Sequence, residues 1–212
     1  MRSRLPRAPS TLPQSVGLKL YVPSHAQSNP LRYETTMLAW KCVNSPVPPQ
    51  KVQRPTASEQ FPNATFIVTA REWEAATKGP GLRGGYISRQ FDHAFDWRTI
   101  DFDGDDVSSY KSFGRTLDLF GDGSVRLAHT PGHTLGHMSV VVRTAGPEFL
   151  IVGDAAYTMR TIRESAMPYG AHDEHEFRRS LKEVQRYLEQ TPDAAICPGH
   201  DLEAFRALNP VY

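Results

Sequence analysis

The residues best suited to chemistry in this chain are two histidines and an aspartate, and each follows a stretch that should end a β-strand. In Thr130-Pro131-Gly132-His133-Thr134-Leu135-Gly136-His137 the Pro-Gly pair forces a tight turn and holds the His133 imidazole out from a rigid strand end. In Ile151-Val152-Gly153-Asp154 a hydrophobic strand delivers a carboxylate whose two oxygens are able to bridge two cations. In Cys197-Pro198-Gly199-His200-Asp201 a strand, a Pro-Gly turn and a histidine recur. Imidazole and carboxylate groups placed this way are candidate metal ligands. A single histidine beside a Pro-Gly turn is ordinarily a surface loop residue. Three such loops, with His133, Asp154 and His200 spaced 21 and 46 residues apart, imply a common purpose.

These loops need strands and a helix behind them. Ala64 to Thr69 (ATFIVT) is a β-rich run, and Thr69 can cap a short helix through Ala76. Residues 79–85 hold four glycines and a proline and read as a loop. Arg115 to Phe120 alternates, Gly121-Asp122-Gly123 is a turn, and Ser124 to His129 is the return strand of a hairpin. Ser139 to Arg143 and Glu148 to Val152 predict a second hairpin around Ala145-Gly146-Pro147. Asp173 is the predicted N-cap of a helix in which Phe177, Leu181, Val184 and Leu188 recur at steps of four, three and four, giving one apolar face for a sheet. Ala194 to Cys197 reads as a short buried strand. The order strand, strand, helix, strand predicts a layered α+β fold.

With 212 residues, 39% hydrophobic and 22% charged, the chain is long enough for one main domain with a sizeable core. A formal charge of +1 argues against both a nucleic-acid binder and a membrane-surface protein, which concentrate Lys and Arg. The expected partner is a small molecule. Cys42 and Cys197 lie far apart and form no disulfide framework, so the expected compartment is the cytoplasm. No run approaches the about 18 apolar residues of a membrane span, and the amino terminus has no apolar stretch of the secretory kind.

The charge is spread unevenly. Residues 1–55 carry eight Lys or Arg against one acid, Glu34, a net of about +7 that leaves about −6 for the remainder. They also hold nine of the 17 prolines and no apolar periodicity, so residues 1–57 are expected to lie outside the folded core and the domain to occupy 58–212. Three explanations stay open: a disordered basic leader, a transit-peptide-like address, or residues foreign to the domain through truncation or a shifted reading frame. The last is favoured by a missing motif described below.

Taken together, TPGHTLGHMS, IVGDAAYT and CPGHD resemble, in order and spacing, the second half of the metallo-β-lactamase superfamily pattern over roughly Glu59 to Asp201. The resemblance implies a partial αββα sandwich, its first sheet and ligand loop largely absent, with two metal ions, usually zinc, at the sandwich edge. By that match His133 would ligate the first metal, Asp154 would bridge, and His200 would ligate the second. His137 falls at a motif position that is normally structural. Asp154-Ala155-Ala156-Tyr157-Thr158 looks like the bridging-aspartate loop of the quorum-quenching N-acyl homoserine lactonases, in which a tyrosine three residues on reaches the substrate. Asp154 and Tyr157 would then be the catalytic residues. The implied reaction is attack of a metal-bound hydroxide on a lactone carbonyl, with the Tyr157 phenol donating to the carbonyl or to the departing oxygen. A thioesterase resembling glyoxalase II, or an arylsulfatase-type relative, is the nearest alternative, because TPGHT and PGHD are widely shared; only the Tyr157 loop discriminates. The non-enzymatic alternative is a truncated remnant that binds a partner or misfolds.

The superfamily's leading ligand cluster, His-x-His-x-Asp-His, would lie directly before Glu59. There the chain has Lys51-Val52-Gln53-Arg54-Pro55-Thr56-Ala57-Ser58, with no His, Asp or Cys. Four of about seven family ligands are unmatched, and each metal would keep two protein ligands where a catalytic zinc normally has three and a water. Weak metal binding and impaired or absent activity are the expectation. Gln90-Phe91-Asp92-His93-Ala94 imitates the end of the cluster, but Ser88 and Gln90 stand where its leading histidines would be. His25, His172 and His175 are expected to be solvated. A half sheet would leave an open edge and an uncovered apolar face, which predicts aggregation or homodimerisation.

Overall fold

The computed structural model describes residues 65–79, 86, 96–168 and 170–209. The basic segment, Cys42, His25 and Gln90 to Ala94 lie outside the described residues.

Short apolar runs separated by tight turns build a six-stranded sheet. Its strands are β3 (Val107–Tyr110), β4 (Phe113–Asp118), β5 (Val125–His129), β6 (Met138–Val142), β7 (Phe149–Gly153) and β8 (Ala195–Pro198), in that spatial order. Neighbours from β3 to β7 are antiparallel, as two-way turns allow, whereas β8 joins β7 in parallel after a helical crossover. That crossover holds α2 (Met159–Glu164) and α3 (Glu174–Gln190), and α4 (Leu202–Arg206) follows β8. A smaller sheet pairs β1 (Thr65–Thr69) in parallel with β2 (Asp96–Ile100), joined through α1 (Ala70–Lys78).

The side-chain alternation of the large sheet gives it two apolar faces. On one, Ala128, Val141, Leu150 and Val152 pack under Phe177, Leu181, Val184 and Tyr187 of α3. Burying each of these large side chains stabilises the fold by about 1.5–3 kcal/mol. On the other, Leu117, Leu127, Met138 and Val140 meet Ile100 of β2 and Phe102, with Ile67 of β1 against them. Beyond the small sheet lies α1, whose Trp73 ring sits 5.0 Å from Trp97 of β2. Helix, sheet, sheet, helix is the αββα layering implied above, with two described strands in the first sheet.

Asp173 caps α3 by accepting from the Glu176 N–H at 2.9 Å, and the predicted stripe faces the sheet. The first hairpin ends earlier than its alternation suggests. The Asp118 carboxylate accepts from the N–H groups of Gly121 and Gly123 at 2.9 and 2.8 Å, which draws residues 119–124 out of the ladder into a side-chain-closed turn. Among the described residues no helix is long and apolar enough to cross a membrane.

Candidate metal centre

β5 and β7 are both antiparallel to β6, and β8 is parallel to β7, so these three strands run the same way and their carboxyl ends share one edge. The three candidate loops leave from that edge and converge. His133 Nε2 lies 3.3 Å from Asp154 Oδ2, and His200 Nε2 lies 3.0 Å from Asp154 Oδ1. Each carboxylate oxygen therefore faces one imidazole. Tyr157 stands between the two rings, at centroid distances of 5.5 Å from His133 and 4.9 Å from His200, with its hydroxyl 2.9 Å from His133 Nδ1. His133 and Asp154 are buried while the His200 side chain is 41% exposed, so the cluster opens to solvent on the His200 side.

Backbone hydrogen bonds fix the loops. Thr130 N–H donates to His137 O at 3.0 Å and Gly132 N–H to Thr134 O at 2.9 Å, closing the His133 loop on itself. The α3 side holds it from outside, where Asp173 N–H reaches Gly132 O at 3.0 Å and the Ser180 hydroxyl donates to Pro131 O at 2.7 Å. The last loop comes so close to Asp154 that a Cβ at position 199 would sit 2.3 Å from Oδ1, which only glycine avoids. Its backbone continues the grip, with Gly199 N–H donating to Gly153 O at 2.9 Å and His200 N–H to Tyr157 O at 2.8 Å.

His137, structural by its motif position, has a definite partner. Its Nε2 accepts from the Asp154 backbone N–H at 3.0 Å and its Nδ1 lies 2.9 Å from Thr130 O, a pair of contacts that requires the Nδ1–H tautomer. Burial pushes its pKa down, which keeps the ring neutral and able to accept. The Ser139 hydroxyl, donating to Val152 O at 2.9 Å, extends the same buried network beneath β7.

Burial alone would raise the Asp154 pKa, but the hydrogen bond from His200 and the charge of His133 outweigh it and hold the carboxyl below its usual range. His200 moves up because Asp154 accepts from it, against the opposing effect of burial. Tyr157 is pushed up to about 12 by burial and by Asp154, so its phenol keeps its proton at neutral pH. Burial pushes the unpaired Cys197 thiol up to about 11, which leaves it a poor nucleophile beside the site.

The donors fit a metal in kind and spacing and fall short in number. Two donors at about 2.0–2.1 Å from a tetrahedral cation lie about 3.3 Å apart, close to the 3.3 and 3.0 Å separations across Asp154. Among the described residues, however, no group of three or more His, Cys, Asp or Glu is placed to hold one ion. His172 and His175 are exposed at the start of α3 and do not join the cluster.

This fold has counterparts. Residues 57–200 match the family model of the metallo-beta-lactamase superfamily, and the chain belongs to that superfamily. Within it, the chain is 36% identical over 150 residues to the N-acyl homoserine lactonase AttM of Azorhizobium caulinodans, covering 69% of this chain and 53% of that protein. It is 35% identical over 149 residues to AttM of Rhizobium radiobacter, with the same shares covered, 69% and 53%. Its fold matches an N-acyl homoserine lactone hydrolase solved with the product N-hexanoyl-L-homoserine at its catalytic metal centre, with a TM-score of 0.54 and 24% identity over 70% of this chain and 52% of that one. The chain thus spans about half the length of the curated relatives it matches.

Proposed function

We propose that this chain carries part of the site of a metal-dependent hydrolase that opens the lactone ring of N-acyl homoserine lactones, with His133, Asp154 and His200 as metal ligands and Tyr157 facing the substrate. The observation behind this reading is the division of one carboxylate between two imidazoles, with a protonated phenol between the rings. Two divalent cations, zinc by the donor chemistry, would be held by His133 with Asp154 and by Asp154 with His200, and would supply Lewis acidity toward an ester carbonyl and a water acidic near neutral pH.

The chain's own residues do the rest. His137 holds the Asp154 backbone N–H and so fixes the point from which the carboxylate reaches the two imidazoles. With Nε2 turned to a metal, His133 would carry its proton on Nδ1 and donate it to the Tyr157 oxygen 2.9 Å away, which would fix the imidazole and leave the phenol proton for the substrate. That proton is aimed at negative charge developing on the carbonyl or ring oxygen during attack. No His-x-His-x-Asp-His run occurs in the 212 residues, so with two protein donors per cation the isolated chain binds zinc weakly and turns over slowly or not at all. Among the described residues the large sheet ends in the edge strands β3 and β8, which make self-association the expected behaviour at high concentration, as light scattering would read.

The reading is tested by joining residues 58–212 to the amino-terminal half of a full-length relative and comparing homoserine lactone with thioester turnover. Lactone hydrolysis should dominate, and Tyr157→Phe should lower it by about 100-fold. Unchanged lactone turnover in Tyr157→Phe would remove the lactonase reading and favour a thioesterase.

A further inference from the structure

Glu72, in the first turn of α1, is buried to 5% exposure. Its carboxylate reaches out of its own layer. Oε2 accepts from the Gly136 N–H at 3.1 Å, and Oε1 accepts from the hydroxyl of buried Tyr86 at 3.0 Å. Thr69, the N-cap of α1, completes the grip: its hydroxyl donates to Gly136 O at 2.8 Å while accepting from Glu72 N–H at 3.1 Å. Both halves of one residue's backbone polarity are thus taken by two side chains three apart. The approach is so close that a Cβ on Gly136 would lie 2.0 Å from Thr69 Oγ1 and 2.5 Å from Glu72 N.

Gly136 belongs to the loop that carries His133 and adjoins His137, and α3 holds the opposite side of that loop through Pro131 and Gly132. The loop is therefore clamped between a helix of the first layer and a helix of the last. We propose that Thr69 and Glu72 are positioning residues, which set the His133 imidazole against Asp154 and Tyr157 by fixing the peptide groups of Gly136. Burying a carboxylate is costly unless donors satisfy it; Glu72 is met by the Tyr86 hydroxyl on one oxygen and, on the other, by the Gly136 N–H of the loop it holds. The functional weight of the clamp rests on the reading of His133 as a metal ligand; the clamp itself does not.

Amide hydrogen exchange and histidine ring signals in the metal-free chain test the clamp, and zinc titration tests what it serves. In the unaltered chain the Gly136 amide should exchange as slowly as amides of β5; exchange at the rate of an unprotected peptide amide would overturn the clamp with no variant needed. Thr69→Val and Glu72→Met, which keep shape and remove the contacts, should speed exchange at Gly136 and His137 at least about tenfold and move the His133 ring signals. They should also weaken zinc binding by about 10–100-fold. Thr69→Ser and Glu72→Gln, which retain hydrogen bonds to Gly136, should stay near the unaltered chain. Loosened exchange with no zinc uptake by any form would sustain the clamp and sink the metal reading. Zinc uptake with exchange and ring signals unmoved in Thr69→Val and Glu72→Met would do the reverse.

Discussion

Strand β7 has a carboxylate at each end, Glu148 just before Phe149 and Asp154 just after Gly153, and the two are answered by different groups. Glu148 accepts from the hydroxyls of Tyr110 and Tyr187 and, at 2.6 Å, from the Lys111 ammonium, which also lies 5.2 Å from the Tyr187 ring centre. Burial would raise its pKa, but these donors hold it below the usual carboxylate range. The ammonium can only donate and both phenols donate here, so the charge is answered inside the protein and the acid ties two hairpins to the end of α3. Asp154 instead faces two titratable imidazoles: His200 donates to it at 3.0 Å, and His133 Nε2 lies 3.3 Å away. Under the proposed function, a cation would take the place of those ring protons. Both side chains are largely shielded from solvent, at 16% and 11% exposure; what separates them is that the partners of Glu148 donate to it as an ammonium and two phenols, whereas those of Asp154 are imidazoles able to turn a lone pair toward a metal.

The sharpest way to break this contrast is to damage one end and read the other. Tyr187→Ala removes a fully buried ring that packs on Phe113 and donates to Glu148, and should cost about 3–5 kcal/mol in urea unfolding while leaving zinc affinity unchanged. A parallel loss of zinc binding would show that the ends are not independent.

Acid should strike the Asp154 end through His129, one residue before its loop. This imidazole is stacked on Phe102 at 4.9 Å, and burial first, then the charges of Arg71, Arg115 and Arg179, push its pKa down to about 4 from an ordinary 6.5. The unfolded chain takes up that proton more readily. Stability is therefore full above about pH 6.5 and falls by on the order of 3 kcal/mol as pH drops toward 4. His129→Phe should flatten that limb of a stability-against-pH curve. Smaller again, Glu148→Gln weakens the contact with Lys111 and should cost about 1–2 kcal/mol in thermal or urea unfolding. Smallest is Asp154→Asn, which should change the stability of the metal-free chain near neutral pH by about 1 kcal/mol or less, because the contact with His200 is offset by the cost of burying the carboxylate.

Much of this site is legible in the amino-acid sequence because its constraints are local. Pro-Gly and Gly-Asp turns at strand ends announce His133, Asp154 and His200 without reference to the rest of the fold, and the Phe177, Leu181, Val184 stripe needs only helical periodicity. What is missed is non-local. β2 (DWRTI) and β3 (VSSY) are short, carry little apolar alternation, and are strands because partners far along the chain pair with them. The buried role of Glu72 is hidden for the same reason. Thr69-Ala70-Arg71-Glu72 has the residue pattern of a local capping box, a signal for a helix start, while the carboxylate serves a glycine 64 residues away. The domain boundary near residue 57 rests on composition, and its structure lies outside the described residues.

Convergence of three loops on one cavity is most directly tested by titrating zinc into the chain with its histidine rings labelled and following the ring nitrogens of His133 and His200. Both Nε2 signals should shift over the same concentration range, weakly held, and Asp154→Asn should abolish both shifts together. A shift of one ring alone, of exposed His172 or His175 instead, or of both rings in Asp154→Asn would contradict a shared carboxylate between two metal-binding imidazoles.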